Sequence, residues 1–484
     1  MTREKKLPVK LVDAFNKARI VLRFHVFRYF FFAYFAFFAV KCSCFFVRFE
    51  QMAQTNAKAE LKPEAEIVID ALAYGSYGIG RLDGKAVMIP DTAPGDKIVA
   101  RLVESKERYA IGEVLRIIEP SPLRQTPPCP YVGRCGGCSW QHLRYEAQLK
   151  AKQQSVADAL QRIGKLRDFE LKPIIAARDP LHYRRRIRLQ AGAASGLGFF
   201  AAGSHSVVEI DSCLIADGRV NAAIAALRLW LSEINSAMEY LELVAGEEPN
   251  EIVVVAQPAE SFQSSDESAC ERLIGENNSI SGLIVLARPE RKIYGRTLIT
   301  VKLQDDLTLQ VDADVFTQVN AEGNRQMIEQ LLAAGNFQRQ DRVLELYCGA
   351  GNFTLPLARR VGEITAVEGH RAAIASGELN AQRYRMENIR WQCADVPQAV
   401  ARLKRQRQTF SKIVLDPPRT GAKGVEADLA ALSAEMILYV SCNPATLARD
   451  LANLAKLGYK LQSVQAMDFF PHTFHVESLA VMMR

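Results

Sequence analysis

The stretch Met436-Ile-Leu-Tyr-Val-Ser-Cys-Asn-Pro444 decides how the rest of the chain is read. An apolar run from Met436 to Val440 stops abruptly at Ser441, Cys442, Asn443 and Pro444. That is the pattern of a buried strand in a parallel sheet whose carboxyl end delivers a thiol to a crevice. Ligands of open α/β sheets bind at that edge, which places Cys442 for chemistry. The competing expectation is an inert packed cysteine, because free Cys is among the most buried residue types. The surrounding chain decides between the two.

Upstream of Cys442 the strand-then-ligand pattern recurs. Arg342-Val-Leu-Glu-Leu346 reads as a short buried strand, followed by Tyr347-Cys-Gly-Ala-Gly-Asn-Phe353 and a helix. A Gly-x-Gly turn between strand and helix lets a ligand approach the backbone closely. The third glycine of the dinucleotide fingerprint is missing, which argues against NAD. Glu363-Ile-Thr-Ala-Val-Glu368 ends in an acid suited to a pair of ribose hydroxyls. Ile389-Arg-Trp-Gln-Cys-Ala-Asp395 places a second acid suited to an adenine amino group, and Lys412-Ile-Val-Leu-Asp416 runs into Pro417-Pro418-Arg419. Any one of these acids is compatible with a cap or turn. In series after consecutive strands they fit an S-adenosylmethionine site better than a pyrophosphate site. The expected fold of residues 311–484 is a Rossmann-like methyltransferase α/β domain.

At 484 residues the chain has room for several domains. Its net charge of +7 suggests nucleic acid without demanding it. The ten cysteines are unevenly spaced and do not read as a disulfide framework, which points to a reducing, cytoplasmic setting. Residues 1–51 stand apart. Phe24 to Phe49 is a low-complexity aromatic tract, and its longest uncharged run, Tyr29 to Val40, is shorter than the roughly 20 residues of a membrane span. This segment is read as an extension or an upstream start, with no membrane expected.

Residues 52–120 read as a compact β-barrel, with short alternating strands such as Glu66–Asp70 and Lys85–Ile89 punctuated by Gly, Pro and Asp. Its Tyr74, Tyr77 and Tyr109, with Lys85, Arg101, Lys106 and Arg108, are expected to stack on and neutralise an RNA strand. Residues 121–310 read as a central α+β region. Within it Cys129, Cys135 and Cys138 have C-x5-C-x2-C spacing, and the glycines between the last two let the backbone wrap a soft metal centre. Three ligands leave a tetrahedral set incomplete, and Cys213 is the distant fourth. This irregular spacing fits a [4Fe–4S] cluster better than a zinc ribbon. Alternation places Arg184, Arg186 and Arg188 on one face of a strand, expected to contact phosphates.

The barrel resembles the TRAM domain, an OB-like RNA-binding module, in its Gly78-Ile-Gly-Arg81 and Pro94-Gly-Asp96 turns. Asp416-Pro-Pro-Arg419, Ser441-Cys-Asn-Pro444 and Asp468-Phe-Phe-Pro-His-Thr-Phe-His-Val-Glu477 together resemble the RNA uracil-5-methyltransferases, and with the barrel and four cysteines the branch acting on 23S rRNA. The resemblance covers the chain after Met52. It implies Cys442 as nucleophile and Glu477 as general base. It also implies Gln318, Tyr347, Asn352, Glu368, Asp395 and Asp416 around S-adenosylmethionine, and Cys129, Cys135, Cys138 and Cys213 as [4Fe–4S] ligands. A monomer with no protein partner is expected. The alternatives are another rRNA or tRNA uracil-5-methyltransferase, or a non-catalytic RNA-binding iron–sulfur protein; the intact pair Cys442 and Glu477 speaks for an enzyme.

Overall fold

The computed structural model describes residues 64–192, 196–287, 289–304 and 306–484, so the reading of residues 1–51 lies outside the described residues. Strands β1 (Ala65–Leu72), β2 (Tyr77–Leu82), β3 (Lys85–Pro90), β4 (Lys97–Ser105) and β5 (Tyr109–Glu119) close into a barrel of order β1-β2-β3-β5-β4. Their inward residues, among them Ile67, Ile69, Val87, Ile89 and Ile98, form its core. This is the alternation the sequence shows.

A helix, Tyr145–Arg162, leads to β6 (Glu170–Ile175). The chain then builds a seven-stranded sheet from β7 (Arg186–Ala191), β8 (Leu197–Phe200), β9 (Val207–Glu209), β10 (Met238–Ala245), β11 (Ile252–Pro258), β12 (Gly282–Val285) and β13 (Lys292–Gly295). Helices Gly218–Glu233 and Glu267–Glu276 share one core with it, centred on Ile224, Leu227, Trp230, Leu241 and Val254. A hairpin, β14 (Leu298–Gln304) and β15 (Leu307–Asp312), precedes the helix Ala321–Gly335.

The last sheet positions the candidate site. It contains β16 (Arg342–Leu346), β17 (Glu363–Glu368), β18 (Ile389–Cys393), β19 (Lys412–Leu415), β20 (Met436–Ser441), β21 (Lys460–Met467) and β22 (Glu477–Met483), in the order β18-β17-β16-β19-β20-β22-β21-β6. Strands β16 to β20 run parallel, and β22 is inserted antiparallel to β20. Alternate residues enter cores on the two faces: Val343, Ile364, Val414 and Leu438 on one, Leu344, Ile413, Ile437 and Tyr439 on the other. Burial on both faces is why these strands read as unbroken apolar runs.

Two features differ from the local reading. Glu170–Ile175, inside the segment read as central, pairs in parallel with β21 at the edge of the last sheet, so residues preceding the central sheet belong to the layer that carries Cys442. Arg186, expected to face RNA phosphates, is only 11% exposed in its side chain and is held by Glu242 and by the carbonyls of Ala313 and Val315, each at 2.8 Å. A guanidinium in the body of a sheet needs internal partners, and Arg186 uses them to pin the segment leading to Gln318. Among the described residues no helix is long and apolar enough to cross a membrane.

Candidate active site

Cys442 follows the last residue of β20, and Asn443 caps the helix Pro444–Lys456, its side chain accepting from the Ala445 N–H at 3.0 Å. Strand β22 supplies the partner. Ser441 lies opposite Ser478 in the antiparallel register, so the next cross-strand position places Cys442 beside Glu477. Glu477 is buried, and its carboxyl is held well above the ordinary range by burial, with Asp416 adding and Arg419 opposing. The Cys442 thiol is pushed up to about 11 by burial and by Glu477, against the pull of Arg419. The Cys442 thiol therefore carries its proton at neutral pH until a neighbour favours the thiolate.

The Asp416–Thr420 loop is tied to this centre. Asn443 Nδ2 and Thr446 Oγ1 each donate to the Arg419 carbonyl at 3.2 Å. Behind it Asp450, fully buried, accepts from Tyr439 Oη and from the Ala422 N–H at 2.7 Å. Gly421 has φ +75°, and a Cβ there would meet Asp450 Oδ2 at 2.3 Å, so the turn admits only glycine. Burial pushes the Asp416 carboxyl up to about 7.

The segment Asp468–Glu477 is anchored from the helix Tyr145–Arg162. Lys152 Nζ bonds Asp468 Oδ1 at 2.5 Å, both side chains fully buried, and donates to the Phe470 carbonyl at 2.9 Å. Gln148 accepts from the His472 N–H at 2.8 Å, and Tyr183 Oη donates to the Pro471 carbonyl at 3.2 Å. His475 packs on Phe474 at 4.2 Å and is held neutral, its pKa lowered to about 4 by burial and by Arg419. Arg419 and His475 were visible only as members of motifs; their shared surroundings with Cys442 appear once the loops are folded together. Tyr74, read as part of an RNA-facing barrel surface, instead donates from Oη to the Cys442 carbonyl at 3.2 Å. Other charges of that surface are paired internally, Arg101 with Glu113 and Lys106 with Glu104.

Along the same sheet edge Glu368 accepts from the Gly349 N–H at 3.1 Å and the His370 N–H at 2.8 Å, bracing the glycine turn. Tyr347 adopts φ +61° at the strand-to-turn junction, and its phenol is pushed up to about 12 by burial and then by Asp395. Asp395 caps the next helix, accepting from Gln398 N–H at 3.2 Å. Asn352 exchanges two amide hydrogen bonds of 2.8 Å with Asn324. A Cβ at Gly349 would meet nothing within 4 Å, so the turn faces open space where a ligand reaches the backbone. The half-buried Glu368, the exposed Asp395 and the open turn suit the hydroxyls and adenine of S-adenosylmethionine. Gln318 lies in the segment before the helix that carries Asn324, beside Arg186 and Thr317.

Cys129, Cys135, Cys138 and Cys213 line one cavity of about 210 Å³, as free thiols. Gly136 is held by its N–H on the Phe200 carbonyl at 2.9 Å, and a Cβ there would meet Ala202 N at 3.0 Å. Among the described residues no group of three or more His, Cys, Asp and Glu side chains is placed so that it could hold a metal ion, so the structure by itself does not show the expected cluster.

The family model described as tRNA (Uracil-5-)-methyltransferase matches residues 144–484, and that of the TRAM domain matches residues 63–115. The chain is 35% identical to the 23S rRNA (uracil(1939)-C(5))-methyltransferase RlmD of Mannheimia succiniciproducens, over 87% of this chain and 96% of that one. It is 33% identical to the enzyme of the same name from Aeromonas hydrophila, over 90% and 99%. In fold it is similar to the Pyrococcus abyssi tRNA (uracil-54, C5)-methyltransferase solved with S-adenosyl-L-homocysteine, with TM-score 0.68, 24% identity, and coverage of 86% of this chain and 99% of that one. The chain belongs to the RNA uracil-5-methyltransferase family, as an S-adenosylmethionine-dependent methyltransferase with an N-terminal TRAM domain.

Proposed function

We propose that this protein methylates carbon 5 of a specific uridine in 23S rRNA through a covalent Cys442–uracil adduct, working as a cytoplasmic monomer. The observation that carries the mechanism is the β20/β22 register, which sets a thiol and a buried carboxyl side by side at the edge where ligands bind. The choice of 23S rRNA is supported by relatives of that name matching across nearly the whole chain, barrel included.

Gln318, Tyr347, Asn352, Glu368, Asp395 and Asp416 would hold S-adenosylmethionine, which would supply an electrophilic methyl group when bound. The target base, stacked in RNA, must be extruded to reach the crevice. Cys442, after losing its thiol proton to solvent, adds through sulfur to carbon 6; the displaced electron pair makes carbon 5 a nucleophile that takes the methyl group as the donor's sulfur–methyl bond breaks and S-adenosylhomocysteine leaves. Glu477, as carboxylate, removes the carbon-5 proton; the carbon 5–carbon 6 double bond re-forms and the sulfur leaves as thiolate. Arg419 is the group that favours the thiolate, since its charge opposes the effects of burial and Glu477 on Cys442. Burial makes Glu477 a strong base once ionised.

Cys129, Cys135, Cys138 and Cys213 would hold a [4Fe–4S] cluster, which would cross-link the Cys129–Cys138 segment to the central sheet. Protein purified without oxygen should contain about four irons per chain; a zinc-loaded protein would overturn the cluster. RNA containing 5-fluorouridine should form an adduct that survives denaturation, because fluorine at carbon 5 cannot leave as a proton does. An adduct formed by Cys442→Ala would overturn the mechanism. Mapping methyluridine in 23S rRNA from cells with and without the gene tests the substrate; a loss confined to tRNA would reassign it.

A further inference from the structure

We infer that Tyr74, on the barrel, is a positioning residue of the methyl-transfer centre, so that the barrel completes the active site as well as gripping RNA. Tyr74 sits in the loop between β1 and β2, which is closed by the Ala73 N–H on the Tyr77 carbonyl at 2.9 Å. The chain reverses at Gly75, with φ +132°. From this loop the Tyr74 side chain reaches the backbone of Cys442 and the segment that leads to Glu477. Its hydroxyl donates to the Cys442 carbonyl at 3.2 Å. Its ring stands edge-on to Phe474, centroids 5.5 Å apart and planes at 86°. Phe474 in turn packs on His475 at 4.2 Å, in the segment that ends at Glu477. One side chain thus holds the loop carrying the nucleophile against the loop carrying the base.

The barrel is seated for this task. Phe474 packs against the small core of Ala93, Trp140 and Leu143, and His142 Nε2 lies 3.1 Å from the Thr92 carbonyl. Two barrel residues, Ala93 and Thr92, therefore fix the base from which Tyr74 extends. Burial pushes the Tyr74 phenol up to about 12, with Cys442 and Glu477 among the charges it feels, so it remains a hydrogen-bond donor across the working pH range. Yet 36% of the residue is still exposed, and an RNA strand lying on the β1–β2 loop meets it directly. The arrangement couples RNA seating on the barrel to the placement of Cys442 and Glu477. Small displacements of reacting groups carry large rate effects, and fixing two loops with one rigid aromatic side chain limits them.

This inference rests on Cys442 as nucleophile, and the test separates the two. The full chain is prepared as wild type, Tyr74→Phe, Tyr74→Ala and Cys442→Ala. Each is measured for kcat and KM with RNA, for melting temperature, and for iodoacetamide alkylation of Cys442 without RNA. Tyr74→Phe keeps the ring and removes the hydroxyl; it should lower kcat about three- to tenfold, the worth of one ordinary hydrogen bond, with KM within about twofold. Its Cys442 alkylation should quicken as the loop loosens, at unchanged melting temperature. Tyr74→Ala should lower kcat further, because Phe474 loses its support as well. Wild-type kcat and alkylation in both Tyr74 variants would overturn the inference. So would a rise in KM alone, which would make Tyr74 an RNA contact only. Turnover by Cys442→Ala would instead overturn the nucleophile.

Discussion

Two thiol environments lie on the same chain, and burial pushes both in the same direction. The Cys442 thiol is raised to about 11 by burial and Glu477. The Cys138 thiol is raised to about 12 by burial, with Cys213, Cys135 and Cys129 adding to the effect. A raised thiol pKa therefore does not separate a nucleophile from a ligand; the neighbours do. Cys442 faces a guanidinium that favours its thiolate and a carboxyl able to take a proton. The four cavity cysteines line one cavity, an arrangement that is repulsive once they ionise and that the proposed metal centre would neutralise by displacing their protons.

The comparison breaks most visibly under paired substitution. Cys442→Ala should lower turnover by on the order of 10⁴-fold or more, as loss of a covalent nucleophile does, with metal content and melting temperature near wild type. Cys213→Ala should do the reverse in kind: lose the metal and a few degrees of melting temperature, while Cys442 stays reactive to iodoacetamide. Metal loss in Cys442→Ala, or full metal retention in Cys213→Ala, would mean that the two groups of thiols are not functionally distinct.

The segment Asp468–Glu477 joins the two regions. The N–H of Trp140, two residues beyond Cys138, donates to the His472 carbonyl at 2.9 Å, and the same segment ends in Glu477. Its anchor is the ion pair of Lys152 and Asp468, with both side chains 0% exposed. Asp468→Asn leaves an ammonium group buried without its counter-charge and should cost about 3–5 kcal/mol, measured from denaturant midpoints. Lys152→Met combined with Asp468→Leu should recover most of that loss, because two well-packed apolar side chains replace a pair that is costly to desolvate. A cost under about 1 kcal/mol for Asp468→Asn, the range of exposed pairs, would show that the segment is anchored elsewhere.

Legibility in the sequence followed the same division between local and distant. The strands ending near Leu346, Glu368, Asp395, Asp416 and Ser441 were readable because parallel strands buried on both faces are continuous apolar runs, interrupted where the ligand edge begins. The barrel was readable from its alternation, and the cysteines from their spacing. The contact of Tyr74 with the Cys442 loop was not legible, because Cys442 lies 368 positions away. Lys152 was invisible for the same reason: a lysine in an amphipathic helix reads as solvated until Asp468, 316 positions on, is brought against it. Arg186 misled because alternation reports which face a side chain takes and not what covers that face. The edge strand β6 has no local mark of its pairing with β21, since register between distant strands is set by packing.

The smallest predicted effect tests the catalytic pair itself. Glu477 raises the Cys442 thiol pKa only when Glu477 is ionised, and Glu477 is held protonated to well above the ordinary carboxyl range. At pH values below the Glu477 pKa, wild type and Glu477→Gln both present a neutral group to Cys442, and their alkylation rates should coincide. Above it the wild type acquires a negative charge beside the thiol, while the variant does not. The thiolate is the species that reacts, so the variant should alkylate faster on this alkaline arm, by roughly two- to tenfold for an interaction worth up to about one pK unit. The pH at which the profiles part reports the Glu477 pKa in the free enzyme. Profiles that superimpose throughout, or a variant slower than wild type at high pH, would show that the β20/β22 register does not couple the two groups, and the contrast between Cys442 and the cavity thiols would lose its physical basis.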